Sequence, residues 1–145
     1  MSKTNVVELG DNAFDTTGLS EIVFNNKINR IGMSCFANCQ FKTFQFPDAI
    51  TVISRSVLQS NKKLQHIILP AGVTEINYNA FASCSALIDI VSNPIVPPTL
   101  DPNVFNYGNN TFKVYVPDES INAYKTATNW STLSDRIYPL SQKPE

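Results

Sequence analysis

The sequence predicts an α/β repeat solenoid, mainly β, of about five rungs of 22–24 residues with a short parallel sheet and a C-terminal helical cap. Three observations carry that expectation. Apolar residues recur at a nearly fixed spacing, units after the first include a short alternating stretch that ends at or near a proline, and the pattern turns helical after Pro117. A fixed period outranks any local assignment, because units too small to bury their own apolar positions do so by stacking.

The period is plain along the first four units. Val6, Leu9, Phe14, Leu19, Ile22 and Phe24 recur 22 positions later as Ile28, Ile31, Phe36, Phe41, Phe44 and Phe46. Ile50, Ile53, Leu58, Leu64, Ile67 and Leu69 follow, with one residue entering between Asn61 and Leu64. Val73, Ile76, Phe81, Leu87 and Ile90 keep a uniform offset of 23, and a looser fifth unit runs through Leu100, Val104, Phe105, Val114 and Val116. The repeats thus fill residues 6–117 of a single domain, 1–145. In Leu64 to Pro70 the alternation of Ile67 and Leu69 predicts a strand, and Pro70, like Pro47, ends it because proline cannot donate to a ladder. Ala13-Phe14, Cys35-Phe36 and Ala80-Phe81 lie in the polar half of the unit, where a helical or 3₁₀ turn drops the ring into the core.

The two ends differ. Asp118, Glu119 and Ser120 offer an N-cap, and Ile121, Tyr124 and Ala127 share one helical face. Residues 118–140 are therefore expected to form a cap, with Trp130, Leu133 and Ile137 covering the last rung and 141–145 a frayed tail. No comparable lid precedes Val6 and Val7, so the first rung is expected either to continue upstream in a longer chain or to self-associate through that edge.

Composition excludes several classes. With 43% hydrophobic and 16% charged residues the chain is no disordered tail, and no apolar stretch is long enough for membrane insertion. Eleven Lys+Arg face twelve Asp+Glu for a net charge of −1, and no basic run exceeds Lys62-Lys63, so nucleic acid is not an expected partner. No glycine-rich phosphate loop is present, and no cofactor is expected. Cys39 and Cys84 share a repeat position two rungs apart, roughly 10 Å at strand spacing, too far for a disulfide. Cys35 and Cys39 lack further ligands for a metal, so all three cysteines are expected to be buried free thiols. The Asn109-Asn110-Thr111 and Asn129-Trp130-Ser131 triplets match the N-glycosylation pattern, a weak signal.

The lone histidine, His66, points out of the predicted sheet beside Ile68. Its repeat equivalents are Glu21, Thr43, Asp89 and Lys113, and the neighbouring column holds Val23, Gln45, Ile68, Val91 and Tyr115. Asp89 is placed to hydrogen-bond His66, but no serine or cysteine on these columns completes a nucleophilic triad. Glu21 and Asp89 are three rungs apart, about 14 Å, too wide for a glycosidase pair. No catalytic or metal residues are assigned. The columns instead predict an outward face about 20 Å long, with His66, Ile68, Asp89, Val91, Lys113 and Tyr115 as its ligand-binding residues.

Residues 73–90, with Val73, Ile76, Ala80-Phe81, Cys84, Leu87 and Ile90 in place, resemble the unit of BspA-type leucine-rich repeats. Pro97-Pro98-Thr99-Leu100, Val104-Phe105, Val114 to Pro117, Ala123-Tyr124-Lys125 and Asn129-Trp130 resemble the closing segment common in gut-bacterial members of that family. The second and third units depart from the pattern, with Ser56-Val57-Leu58 replacing Ala-Phe and Asn61 replacing the cysteine. The resemblance implies a leucine-rich-repeat fold, a cell-surface or secreted location, and adhesion to host or neighbouring-cell surface proteins rather than catalysis. The alternative is a structural spacer or stalk of a longer repeat protein, with no ligand on the outward face.

Overall fold

In a computed structural model that describes residues 6–144, most units carry two strands rather than the one expected. Short strands β1 (Glu8–Leu9), β2 (Arg30–Ile31), β4 (Val52–Ile53), β6 (Glu75–Ile76) and β8 (Thr99–Leu100) pair Leu9 with Ile31, and Ile53 with Ile76 and then Leu100. Longer strands β3 (Thr43–Gln45), β5 (His66–Leu69), β7 (Asp89–Ser92) and β9 (Lys113–Val116) form the main face. Pairing is parallel throughout. β3, β5, β7 and β9 belong to one sheet, β4, β6 and β8 to a second, and β1 with β2 to a third. The offsets read from the sequence appear as register: Thr43 pairs with His66, His66 with Asp89, and Asp89 with Lys113. The one-sheet expectation failed because a two-residue strand shows a single buried position and hence no alternation to detect.

The arc after each short strand is not helical. Its N–H groups alternate between two kinds of partner. In the first unit those of Ala13, Asp15 and Thr17 bond three residues back, while those of Asn12, Phe14 and Thr16 reach the Met33, Cys35 and Ala37 carbonyls of the next unit. Such alternation needs left-handed backbone at fixed points, found at Asn12, Ser34, Ser56 and Asn79 and again at Thr16, Asn38, Ser60 and Ser83. Short polar side chains tolerate that region better than branched ones. The arc therefore satisfies its backbone locally and between units at once, and the column residues Phe36, Leu58 and Phe81 enter the core from it.

The cysteine column has the same logic. Cys39 Sγ donates to the Phe14 carbonyl at 3.2 Å and Cys84 Sγ to the Leu58 carbonyl at 3.3 Å. Asn61, between them in the repeat, donates through Nδ2 to the Phe36 and Leu58 carbonyls at 2.9 Å each. The departure from the pattern thus keeps the donor, although Asn61 Oδ1 is buried without a hydrogen-bond partner. Asn61→Ala is expected to lower stability by about 1–3 kcal/mol in urea unfolding, because the Phe36 carbonyl loses its side-chain donor, while the Leu58 carbonyl keeps Cys84 Sγ and the backbone N–H of residue 61. Asn61→Cys should recover most of that loss.

After β9 the chain forms a 3₁₀ turn at 118–120, helix α1 (Ile121–Thr126), a 3₁₀ segment at 130–136, strand β10 (Ile137–Pro139) and a 3₁₀ turn at 140–142. The expected cap is thus mixed rather than wholly helical, since β10 extends the main sheet in parallel beside β9, pairing Ile137 with Val114. Neither Asp118 nor Ser120 caps α1 through its side chain. Ser120 Oγ donates to the Ile95 carbonyl at 2.7 Å, and Asp118 Oδ1 accepts from the Ser141 N–H at 3.1 Å. Ser141 and Gln142, expected in the tail, lie in that last turn. Tyr124 and Trp130 are fully buried, with Trp130 Nε1 donating to the Pro98 carbonyl at 2.7 Å.

At the other end Phe14, Leu19, Ile22 and Phe24 are only partly buried and Val6 and Val7 are exposed. The part of the edge expectation that concerns Met1 to Asn5 lies outside the described residues, as does Glu145.

Candidate binding face

Register alone brings the outward residues together. Because parallel strands align His66 with Asp89 and Ile68 with Val91, side chains of like parity stand side by side on the sheet surface. His66 Nδ1 lies 2.9 Å from Asp89 Oδ1. The His66 side chain is 38% exposed and that of Asp89 12%, so the carboxylate sits low in the face and the ring stands over it.

The six residues expected to form the face all line one depression of about 670 Å³. Ile68 and Val91 contribute apolar surface from its strands. Its rim includes Asn109 and Thr111, a loop fixed by Asn109 itself, whose Nδ2 donates to the Leu87 carbonyl at 3.0 Å while its Oδ1 accepts from Thr111 N and Oγ1 at 2.6 Å. Lys143 and Pro144 also line it. Sequence reasoning missed Lys143 and gave the Asn109 triplet no place on the face. The signal for the loop was present in its offset of 22 from Leu87, but none announced the tail.

Two expectations about the face need correction. Tyr115, expected as an exposed anchor, is 4% exposed: its ring packs 6.1 Å from that of Tyr138 on β10, and Lys143 Nζ lies 6.0 Å from its centroid. Val91 and Asp89 are also largely covered, leaving His66 and Ile68 half-buried and Lys113 exposed. The face is also shorter than expected at its start, because Glu21 and Val23 belong to no strand, and Val23 lines a separate depression with Gln45. The main sheet begins at β3.

Lysine positions are held by aromatic rings. Lys113 Nζ sits 5.3 Å from the Tyr138 centroid, so the two neighbouring tyrosines, tilted at 39° to each other, carry one ammonium each. Cation–π attraction limits the wandering of otherwise flexible side chains. Asp89 is the one carboxylate among the described residues lining the depression.

The cysteines take no part in this face. All three are free and buried. Burial pushes the Cys35 thiol up to about 11 and the Cys84 thiol up to about 12, from 9.0. Burial likewise raises Tyr124 from 10.0 to about 12, against a hydrogen bond with Ser92. A raised pKa means that the folded chain holds its protons more tightly than the unfolded one, so this contribution is complete below the unfolded value and is lost as pH climbs towards the folded one. The melting temperature is expected to fall steadily between about pH 9 and about pH 11. Cys84→Ala should flatten that decline, as measured by thermal unfolding over the range.

No group of three or more metal-ligating side chains occurs among the described residues, and no helix among them is long and apolar enough to cross a membrane. A family model described as a BspA type leucine-rich repeat region matches residues 2–112, in six copies where the sequence suggested five units over 6–117. No curated protein matches the chain.

Proposed function

Because the chain belongs to the BspA-type leucine-rich repeat family, we propose that it is a non-catalytic protein-binding and adhesion module of a bacterial surface or secreted protein. Leucine-rich repeats typically mediate protein–protein interaction and are generally non-enzymatic, and the BspA type is commonly found on surfaces or secreted. The reading takes the stacked units as a solenoid of about five rungs closed by the segment after Pro117. Its ligand, a protein on a host or neighbouring cell, lies along the outward face of β5, β7 and β9. The observation that supports this most is the gathering of His66, Ile68, Asp89, Val91, Lys113 and Tyr115 around one depression.

Ile68, His66 and Lys113 make the direct contacts in this reading, while Tyr115 positions Lys143. The test is peptide display on the purified chain, followed by binding of the enriched peptides to two variants. Ile68→Asp should weaken them about tenfold or more, since a charge replaces an apolar contact at the centre of the interface. Val52→Asp, on the exposed side of β4, should leave binding unchanged. Peptides indifferent to Ile68→Asp would remove the face from the function and favour the spacer role.

A further inference from the structure

We propose that the segment bound on this face is an acidic, extended polypeptide stretch in which an aliphatic side chain has carboxylates two residues to either side, on the same face. The inference rests on the assignment of the face as the binding surface and adds the chemistry of the partner.

The charges of the depression are unlike those of the chain. The whole chain carries −1, yet among the described residues the depression presents two ammonium groups, Lys113 and Lys143, against one carboxylate, that of Asp89. That carboxylate is engaged by His66 at 2.9 Å and is mostly covered, so it offers little to an incoming cation. Both lysines are held over tyrosine rings, at 5.3 and 6.0 Å, and neither forms an ion pair with an acid among the described residues. Among those residues Lys143 Nζ reaches only the Pro144 carbonyl, at 3.5 Å, so both ammonium groups keep donors for an incoming carboxylate. Beside them Ile68 and Val91 supply apolar surface at adjacent register positions. β5 to β9 spans two strand spacings, about 10 Å, which an extended chain covers in about three residues. With one aliphatic side chain over Ile68 and Val91, a carboxylate two residues along, on the same side of the extended chain, comes within reach of the lysines. Complementary charge of this kind sets partner choice and weakens with salt.

The experiment uses fluorescein-labelled, end-blocked hexapeptides with serine at every second position, the positions between holding leucine alternating with glutamate, glutamine or lysine so that both face the same side, read by anisotropy on the full chain. The glutamate peptide is expected to bind about tenfold or more tightly than either counterpart at low salt, and to lose that advantage in high salt. Lys113→Glu with Lys143→Glu should abolish its binding. Lys113→Gln with Lys143→Gln, a milder change for a fold check by circular dichroism, should reduce it. If all three peptides bind alike and all are weakened by Ile68→Asp, the acidic preference is overturned while the face stands. If the glutamate peptide binds but ignores both the lysine pair and Ile68→Asp, the proposal falls together with the face. If none of the three binds where display-selected peptides do, the acidic preference is again overturned.

Discussion

Replacing Phe36 by alanine is expected to lower the stability of the chain by about 3–5 kcal/mol, among the largest costs of any single truncation. Its ring is fully buried and touches four others: it stacks on Phe14 at 5.4 Å and 3°, meets Phe24 and Phe41 edge-on at 6.0 and 5.7 Å, and tilts against Phe44 at 5.2 Å. The loss is greater than one cavity because Phe14 and Phe24 belong to the first unit, whose apolar residues are only partly buried. In stacked repeats each unit leans chiefly on its neighbours, so damage stays local before it spreads. Trp130, the single tryptophan, reports on the opposite end. In Phe36→Ala the circular dichroism transition in urea should therefore begin at lower denaturant than the tryptophan fluorescence transition. Coincident transitions would mean that the units unfold as one body.

Trp130→Ala should cost a similar amount, about 3–5 kcal/mol, by a different route. Its ring is 1% exposed and edge-on to Tyr124 at 5.0 Å, and its Nε1–H satisfies the buried Pro98 carbonyl. Tyr124 in turn donates to the Pro94 carbonyl at 2.7 Å and bonds Ser92 at 3.0 Å, at the end of β7. The pair thus pins α1 to the turns that follow β7, and β10 depends on the same docking to reach β9. Trp130→Phe keeps most of the burial and removes the donor, so it should cost only about 1–3 kcal/mol. Urea unfolding followed by circular dichroism separates the two variants. In Trp130→Ala the β10 amides, Ile137 and Tyr138, should lose hydrogen-exchange protection first.

The repeat was legible because Phe14, Phe36, Leu58 and Phe81 keep their spacing in a core that tolerates any large apolar side chain. The pairing of His66 with Asp89 followed from the same offsets. Other features were written in the sequence but in residues that carry several meanings. Asn12, Ser34, Ser56 and Asn79 keep the repeat spacing, and their small polar side chains mark left-handed backbone, yet such residues are common in any turn. β10 was illegible, since Ile137 to Pro139 follow a 3₁₀ segment with no counterpart in the repeats. Tyr115 shows the limit most clearly. Its column position is right, but its burial depends on Tyr138 and Lys143, which reach it only once the C-terminal segment has folded back. Val23 errs the other way, in register by spacing and 97% exposed, because Glu21 to Phe24 form no strand against β3.

The central claim is that the outward face of the long strands receives the ligand. It is tested most directly by titrating the isotopically labelled chain with a display-selected peptide and mapping amide shifts by NMR. The predicted result is a contiguous set of perturbations over His66 to Leu69, Asp89 to Ser92 and Lys113 to Val116, with Val52–Ile53 and Glu75–Ile76 unmoved. Perturbations centred on those short strands, or on Leu9 and its neighbours in the first unit, would contradict the account.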